Sequence, residues 1–345
     1  MDIANTARLL VIGDLHFSDR SAPLLQQLSD KIIQTVERTS PDAVVFLGDT
    51  LDRFATINSV RHSEATDLLY VCSLLSKVIL LIGNHDIPRK THFLSTHHGF
   101  NPMRYWNNTI VVDRQCVEFV VNGLTFQAVP YCPNGRLQDA LDTLPSRSAK
   151  PTATFCHQEI KGHALSHLTG DDGDGWPSGR GLLVCGHIHL HHYMPATQER
   201  DEVLYVGTPY QDNYSENTDK SISLLTFSDS GWTEERIYLD LPKKVRLEMT
   251  ALEYSMWSLE SNTIYSLTVT GTHRENSAHR ESDKTLEIRR SGGSVMFLNA
   301  DDRVDATEMS GDRVAQPFKT VRDSIAESIV DKPHLQRVFA QIYIV

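Results

Sequence analysis

The sequence contains no apolar run close to the roughly 18–20 residues that cross a bilayer, so a membrane-spanning protein is not expected. Its first residues, MDIANTARLL, put an acid at position 2 and show no cleavage pattern of a secretory leader, so the expected location is the cytoplasm. Cysteine is scarce: Cys72, Cys116, Cys132, Cys156 and Cys185 are odd in number, scattered, and mostly set inside apolar runs. That pattern argues against a disulfide scaffold or a zinc finger and fits reduced thiols in a core. Positive charge is scarce too, with 33 Lys and Arg against 44 Asp and Glu, a formal net charge of −11. A chain that grips nucleic acid unaided draws its affinity from Lys and Arg at phosphates. This balance therefore points to a small substrate, to a partner that shares the grip, or to acids neutralised by bound cations.

What is present is a globular composition, 40% hydrophobic and 22% charged over 345 residues, enough for one large domain and a smaller one. Apolar runs at 7–13, 43–47, 77–82, 152–156 and 181–185 each end at a polar cluster, which predicts buried strands with the clusters at their C-terminal edges. Helical spacing over 22–38, with Pro23 near its start, and over 63–76 separates the first three runs. Asn122-Gly123 between apolar alternations predicts a hairpin of 117–121 with 124–129. Further strands are expected at 202–206, 221–227 and 232–239, the last two joined through Asp229-Ser230-Gly231. The expected fold class is α/β: a two-sheet β-sandwich flanked by helices over residues 1–240. LPKK then reads as a short linker into a small α+β accessory domain over 241–345, with a strand at 263–271 and a helix at 316–329.

Five clusters follow these strands: GDLH (13–16), GDTLDR (48–53), GNHD (83–86), CHQE (156–159) and GHIH (186–189). Taken singly, each is an ordinary turn or a satisfied surface histidine. Jointly they offer Asp14, His16, Asp49, Asn84, His157, His187 and His189, the set two divalent cations need if one carboxylate is shared and water completes the shells. Residues two apart on a chain leaving a strand point the same way, so D-x-H and H-x-H pairs can chelate. The glycines before Asp14, Asp49, Asn84 and His187 are expected to permit sharp turns close to the metals.

In this order the clusters resemble the motifs of the calcineurin-like metallophosphoesterase superfamily (D-x-H, GD-x-x-D/H, GNH[DE], H and GH-x-H) across about residues 8–210. The resemblance implies that Asp14, His16, Asp49 and His189 hold one metal, that Asp49, Asn84, His157 and His187 hold the other, and that Asp49 bridges them. Manganese is favoured by the resemblance, while the thiolate-free donor set also admits magnesium, iron or zinc. Such a pair, about 3.5–4 Å apart, polarises phosphoryl oxygens and lowers the pKa of a water between the cations for in-line attack. His85 follows a ligand without being one and is the candidate acid that protonates the leaving oxygen or steadies the scissile phosphate. Asp52 is the candidate carboxylate to orient His85. Arg53 is a candidate phosphate contact, with a structural salt bridge as the alternative.

The text around the motifs, GNHD, VPY (129–131), CHQEIKG (156–162) and YVGTPYQ (205–211), is similar to the SbcD group of DNA double-strand-break repair nucleases, and the compact length to its bacteriophage members. That resemblance implies a metal-dependent DNA exonuclease or endonuclease subunit, with residues 243–345 capping the active site and docking an SbcC-type ABC ATPase. It further implies a homodimer and, for a phage protein, a host cytoplasm. Two readings stay open beside it: a phosphomonoesterase or cyclic-nucleotide phosphodiesterase of the same superfamily, and a regulatory scaffold for an ATPase. The stretch GDDGDGWPSGRG (170–181) does not fit a calcium-loop frame. It reads as a flexible loop in which Trp176 or Arg180 either touches substrate or packs. His163, His167, His191 and His192 read as supporting or exposed histidines.

Overall fold

Along β1 (Thr6–Ile12), Leu9 and Val11 point to one side and Leu10 and Ile12 to the other, and all four are fully buried. A strand apolar on both faces needs cover on both. In the computed structural model, which describes residues 5–54, 58–145, 150–165, 168–170 and 172–300, that cover is a helical layer on one side and a second sheet on the other. The expected helix at 316–329, His167, and the region beyond residue 300 lie outside the described residues.

Helix α1 (Ala22–Thr39) carries the chain from β1 to β2 (Ala43–Phe46), and α2 (Ser59–Leu75) carries it to β3 (Lys77–Leu81), giving parallel β1-β2-β3 pairing. The outer face formed by Leu10, Ile12, Val44 and Phe46 packs against Leu25, Leu28 and Ile32 of α1 and Leu68 and Leu69 of α2. β4 (Thr109–Val112) adds in parallel to β3. The hairpin of β5 (Val117–Val121) and β6 (Leu124–Ala128) turns at Asn122 and Gly123, both left-handed at φ 47° and 82°. Asn-Gly suits this turn because both of its central positions need positive φ.

After the short α3 (Leu137–Leu141), the second sheet is completed by β7 (Ala153–His157), β10 (Leu182–Gly186), β11 (His192–Met194) and β12 (Val203–Tyr205). A small hairpin of β8 (His163–Leu165) and β9 (Leu168–Gly170) stands apart from it. β13 (Ile222–Ser228) and β14 (Gly231–Ile237) return antiparallel to the first sheet. The two sheets therefore run β14-β13-β1-β2-β3-β4 and β11-β12-β10-β7-β6-β5. Between them lie Val11, Val45 and Leu81 from one side and Phe155 and Val184 from the other. The Phe126 ring sits 5.5 Å from Phe119 and 5.1 Å from Phe227 by centroid.

Leu137, Leu141 and Trp176 cover the outer face of the second sheet together with Cys116, Cys132, Cys156 and Cys185, and all five cysteines are free and buried. The parallel strands β1, β2, β3, β7 and β10 deliver their C-terminal ends to one edge of this sandwich, the place where open α/β sheets hold ligands. Among the described residues no helix is long and apolar enough to cross a membrane.

A third sheet, parallel throughout, follows: β15 (Lys243–Thr250), α4 (Ala251–Met256), β16 (Thr263–Gly271), α5 (His273–Arg280), α6 (Asp283–Arg290) and β17 (Ser294–Asn299), in the order β15-β16-β17. Thr250 with Glu253 and Thr272 with Glu275 form capping boxes that start α4 and α5. Tyr254, Leu267, Val269, Ile288 and Phe297 give this sheet its own core. LPKK differs from the linker expected of it, because Lys243 and Lys244 open β15 and Lys244 is buried. A buried backbone must find partners, and Gln211 supplies them: Lys244 N–H donates to Gln211 Oε1 at 2.7 Å, and Gln211 Nε2 donates to the Lys244 carbonyl at 3.2 Å.

Candidate metal centre

The segments leaving β1, β2 and β10 turn at once, and each places an expected ligand in left-handed backbone: φ is 45° at His16, 47° at Asp49 and 79° at His187. Such conformations are sparsely populated outside glycine and cluster at functional sites. Hydrogen bonds between the loops hold them. His16 N–H donates to the Asp49 carbonyl at 2.9 Å, His187 N–H to Asp14 Oδ1 at 3.1 Å, and His85 N–H to Asp49 Oδ1 at 2.8 Å. Of the four glycines expected to make sharp turns, Gly48 does so, with φ 106°. Gly83 serves a different need: a Cβ there would overlap Asp49, so its small size lets two ligand loops touch.

On one side of the centre, His157 Nε2 lies 2.9 Å from Asn84 Oδ1, 3.2 Å from Asp49 Oδ2 and 3.1 Å from His187 Nδ1. The other nitrogens of both rings are already engaged. His157 Nδ1 meets the Leu47 carbonyl at 2.8 Å, and His187 Nε2 meets Glu159 Oε1 at 3.1 Å. A carbonyl or carboxylate takes one ring N–H, which in the neutral rings leaves the inward nitrogens as lone pairs. Four potential ligand atoms thus point at one another. On the other side, His189 Nε2 lies 3.0 Å from His16 Nε2 and 3.7 Å from Asp14 Oδ2, while its Nδ1 is held by Glu216 Oε1 at 2.8 Å. His16 Nε2 is also 3.9 Å from Asp49 Oδ2, so that carboxylate oxygen belongs to both groups.

Asp14 Oδ2 is buried without a hydrogen-bond partner. Unpaired buried acceptors are costly, and divalent cations satisfy all of them together. The residues present fit such ions: Asp14, His16 and His189 form one group, Asp49, His157 and His187 another, and His16, Asp52 and His85 a third, with Asp49 Oδ2 also 3.9 Å from His16 Nε2.

A sequence profile of the calcineurin-like phosphoesterase family matches residues 7–204. The chain belongs to the calcineurin-like phosphoesterase family. It is 27% identical over 338 residues to "Putative phosphoesterase 078R" of Invertebrate iridescent virus 3, covering 94% of this chain and 96% of that one. It is 26% identical over 261 residues to "Putative phosphoesterase 244L" of Invertebrate iridescent virus 6, covering 74% of this chain and 90% of the other. The crystal structure of TT1561 of Thermus thermophilus aligns with a TM-score of 0.42 at 9% identity over 67% of this chain and 99% of that one, too distant to add weight. Phosphoesterases of this family use divalent metals, in keeping with the donor set.

The electrostatics of this phosphoesterase follow from the crowding of acids and imidazoles. Burial opposes a charge on His157, yet Asp49 and Asp14 raise its pKa to about 10. Burial likewise opposes ionisation of Asp49, but His157, His16 and His85 hold its carboxyl well below the usual range. Burial keeps His16 below its ordinary value despite Asp49 and Asp14. The hydrogen bond from His187 holds Glu159 down at about 2. Glu216 is held at about 2, against the effect of burial, by His189 and by Lys220, whose Nζ is 2.8 Å away.

Glu159 and Glu216 were not singled out from the sequence. Glu159 was visible in CHQE, two residues beyond a ligand and therefore on its side of the chain. Glu216 had no motif to mark it. Asp86 of GNHD is a further structural acid. Fully buried, it accepts from Gly83 N–H and Leu51 N–H, each at 2.9 Å, and ties two ligand loops; burial, helped by the charge of Asp49, raises its pKa to about 7.

His85 stands at the centre with its ring centroid 5.0 Å from that of His16. The role expected of Asp52 needs correction. The backbone carbonyl of residue 52, not its carboxylate, accepts from His85 Nδ1. The carboxylate turns instead to Arg20 at 3.0 Å and lies 3.9 Å from His16 Nδ1, because the arginine offers it a charged partner. Arg53 is 70% exposed at its side chain, with Nε 3.6 Å from Asp52, so it is loosely held. Trp176 is buried, donates to the Gly181 carbonyl at 2.8 Å, and packs beneath its loop. His191 pairs with Glu234 at 3.0 Å, and His163 Nδ1 meets the Ile160 carbonyl at 2.9 Å; neither joins the ligand groups.

Two outcomes follow from this shell. Glu159→Gln and Glu216→Gln are each expected to weaken manganese binding by about 10- to 100-fold in calorimetric titration; unchanged affinity in both would remove the orienting role. A proton held at His157 in the metal-free protein competes with a cation for Nε2. Manganese affinity should therefore fall with falling pH, by about tenfold per unit for each proton displaced. Proton release measured in buffers of different ionisation enthalpy checks this, and a pH-independent affinity would contradict it.

Proposed function

We propose that this phosphoesterase cleaves phosphodiester bonds of DNA, as the nuclease subunit of an SbcCD-type recombination and repair complex, with manganese as its metal. The observation that carries the reading is where the SbcD-like residues lie. Tyr131 of VPY sits with its ring 6.1 Å from His157 and 6.3 Å from His187, and Glu159 of CHQE holds His187. Tyr210 of YVGTPYQ donates from its hydroxyl to the Leu15 carbonyl at 2.9 Å, bracing the loop between Asp14 and His16. The likeness is concentrated on the residues that brace the metal ligands, where it bears on which ester is taken. The centre is also open, with the side chains of His187 and His189 keeping 21% and 29% of their surface, which suits a polymer lying across it.

When bound, the two cations supply charge stabilisation for the phosphoryl group and activate the attacking water. The chain's own contribution is position and a proton. His85 Nδ1–H faces the carbonyl of residue 52, so Nε2 is the atom that, when the ring is an imidazolium, gives its proton to the leaving oxygen and leaves a neutral imidazole. An ABC ATPase partner supplies the positive charge for DNA that a chain of net −11 lacks. A homodimer, a cap formed by 241–345 and a cytoplasmic location belong to the same proposal.

The test is digestion of end-labelled linear duplex DNA with manganese. Cleavage is expected to vanish with a chelator, and in His85→Ala to fall by about 10²–10⁴ while manganese binding persists. Absence of cleavage by metal-loaded protein, even beside an SbcC-type ATPase, together with preference for p-nitrophenyl phosphate, would overturn the reading in favour of a small phosphate ester.

A further inference from the structure

Beside the ligand loops lies a cavity of about 250 Å³ whose lining includes Phe17, Arg20, Leu51, Asp52, Arg53 and Arg61. It shares a wall with the centre. Asp52 Oδ1 is 3.9 Å from His16 Nδ1, and the carbonyl of the same residue accepts from His85. The floor is apolar and fixed: Phe17 and Leu51 are buried and bridge the two ligand loops, with Phe17 N–H donating to the Thr50 carbonyl at 3.0 Å.

The arginines differ in how firmly they are committed. Arg61 is 18% exposed and is held by Asp19 at 3.0 Å and Glu64 at 2.6 Å, so it belongs to the frame. Arg20 is 56% exposed and Arg53 70% exposed, and both lean on the single carboxylate of Asp52, with Arg20 reaching Asp212 at 3.5 Å as well. A guanidinium carries five N–H donors in a fork that matches a phosphate, more than these ion pairs use. Asp19, the other acid of the lining, already accepts from Arg61 and Asn58.

Proximity to the proton donor points to what this cavity meets. In an in-line displacement the leaving oxygen departs opposite the attacking water, and His85 is the residue that protonates it. The departing fragment therefore starts beside His85 Nε2, one imidazole ring away from residue 52, whose side chain lines this cavity. We propose that the cavity is the leaving-group subsite, in which Arg20, with Arg53, receives a second phosphate carried by the departing fragment while Phe17 and Leu51 support its sugar or base. The inference rests on the diesterase reading above and names its substrate more narrowly: an ester whose leaving group is itself phosphorylated, as in an internal position of a polynucleotide.

Equilibrium binding to the manganese-loaded protein tests this without requiring turnover. Thymidine 3′,5′-bisphosphate is compared by calorimetry with thymidine 3′-monophosphate and thymidine 5′-monophosphate. The bisphosphate is expected to bind about tenfold or more tightly than either monophosphate, the worth of a charge-assisted contact. Arg20→Ala should bring that ratio close to one, and Arg20→Lys should keep part of it. A merely structural Arg20 would weaken all three ligands alike and leave the ratio intact, which overturns the proposal, as does a ratio near one in the native protein. If DNA is cut but the ratio is flat, the subsite fails and the nuclease reading stands. If DNA is not cut but the ratio holds and depends on Arg20, the nuclease reading fails and the subsite serves a small bisphosphorylated ester.

Discussion

Ligand atoms crowded against one another, with a single proton on His157 to relieve them in the metal-free protein, are the constraint from which the rest of this centre follows. Asp49 Oδ2, Asn84 Oδ1, His157 Nε2 and His187 Nδ1 crowd within a few ångströms of one another, and the outward nitrogens of the two imidazoles are already bound by Leu47 and Glu159. Without cations the His157 proton relieves only part of the repulsion, and the remaining lone pairs carry their desolvation penalty. The protein sustains it with reinforcement from outside: left-handed backbone at three ligands, hydrogen bonds that lock the loops, a buried Asp86 joining two of them, and Lys220 behind Glu216. Each of these is costly or unneeded in a purely structural loop cluster. Together they describe a site held ready for positive charge.

The sandwich makes such a site possible because parallel strands from both sheets end at one edge. β1, β2 and β3 bring Asp14, His16, Asp49 and Asn84, while β7 and β10 bring His157, His187 and His189. The layer between the sheets packs rings such as Phe126 and Phe155 into one buried cluster with Val11 and Val45. The third sheet is joined to this frame by the paired amide contacts of Gln211 with Lys244, close to the Tyr210 hydroxyl that braces the first ligand loop.

Much of this was legible in the sequence because its causes are local. Apolar runs ending in polar clusters became strands ending in ligands, Asn122-Gly123 became a left-handed hairpin turn, and TIYSLTVTG became β16. What was hidden depends on contacts between distant segments. Glu216 reaches His189 from 27 residues away and belongs to no motif. That the carbonyl of residue 52 bonds His85 while its carboxylate pairs with Arg20 is a matter of tertiary structure. The second half of the linker expected at LPKK opens β15 because Lys243 and Lys244 pair with Thr263 and Ile264 of β16 and Gln211 holds the Lys244 backbone. The parallel order of the third sheet was obscured because its helices span 6 to 8 residues, too short for a clear 3.6-residue period.

The most direct test of the central claim is anomalous diffraction at the manganese edge from crystals soaked in manganese. Two peaks are predicted, one against Asp14, His16 and His189 and one against Asn84, His157 and His187, with the Asp49 carboxylate between them. A single peak, or two that do not share Asp49, would contradict the account.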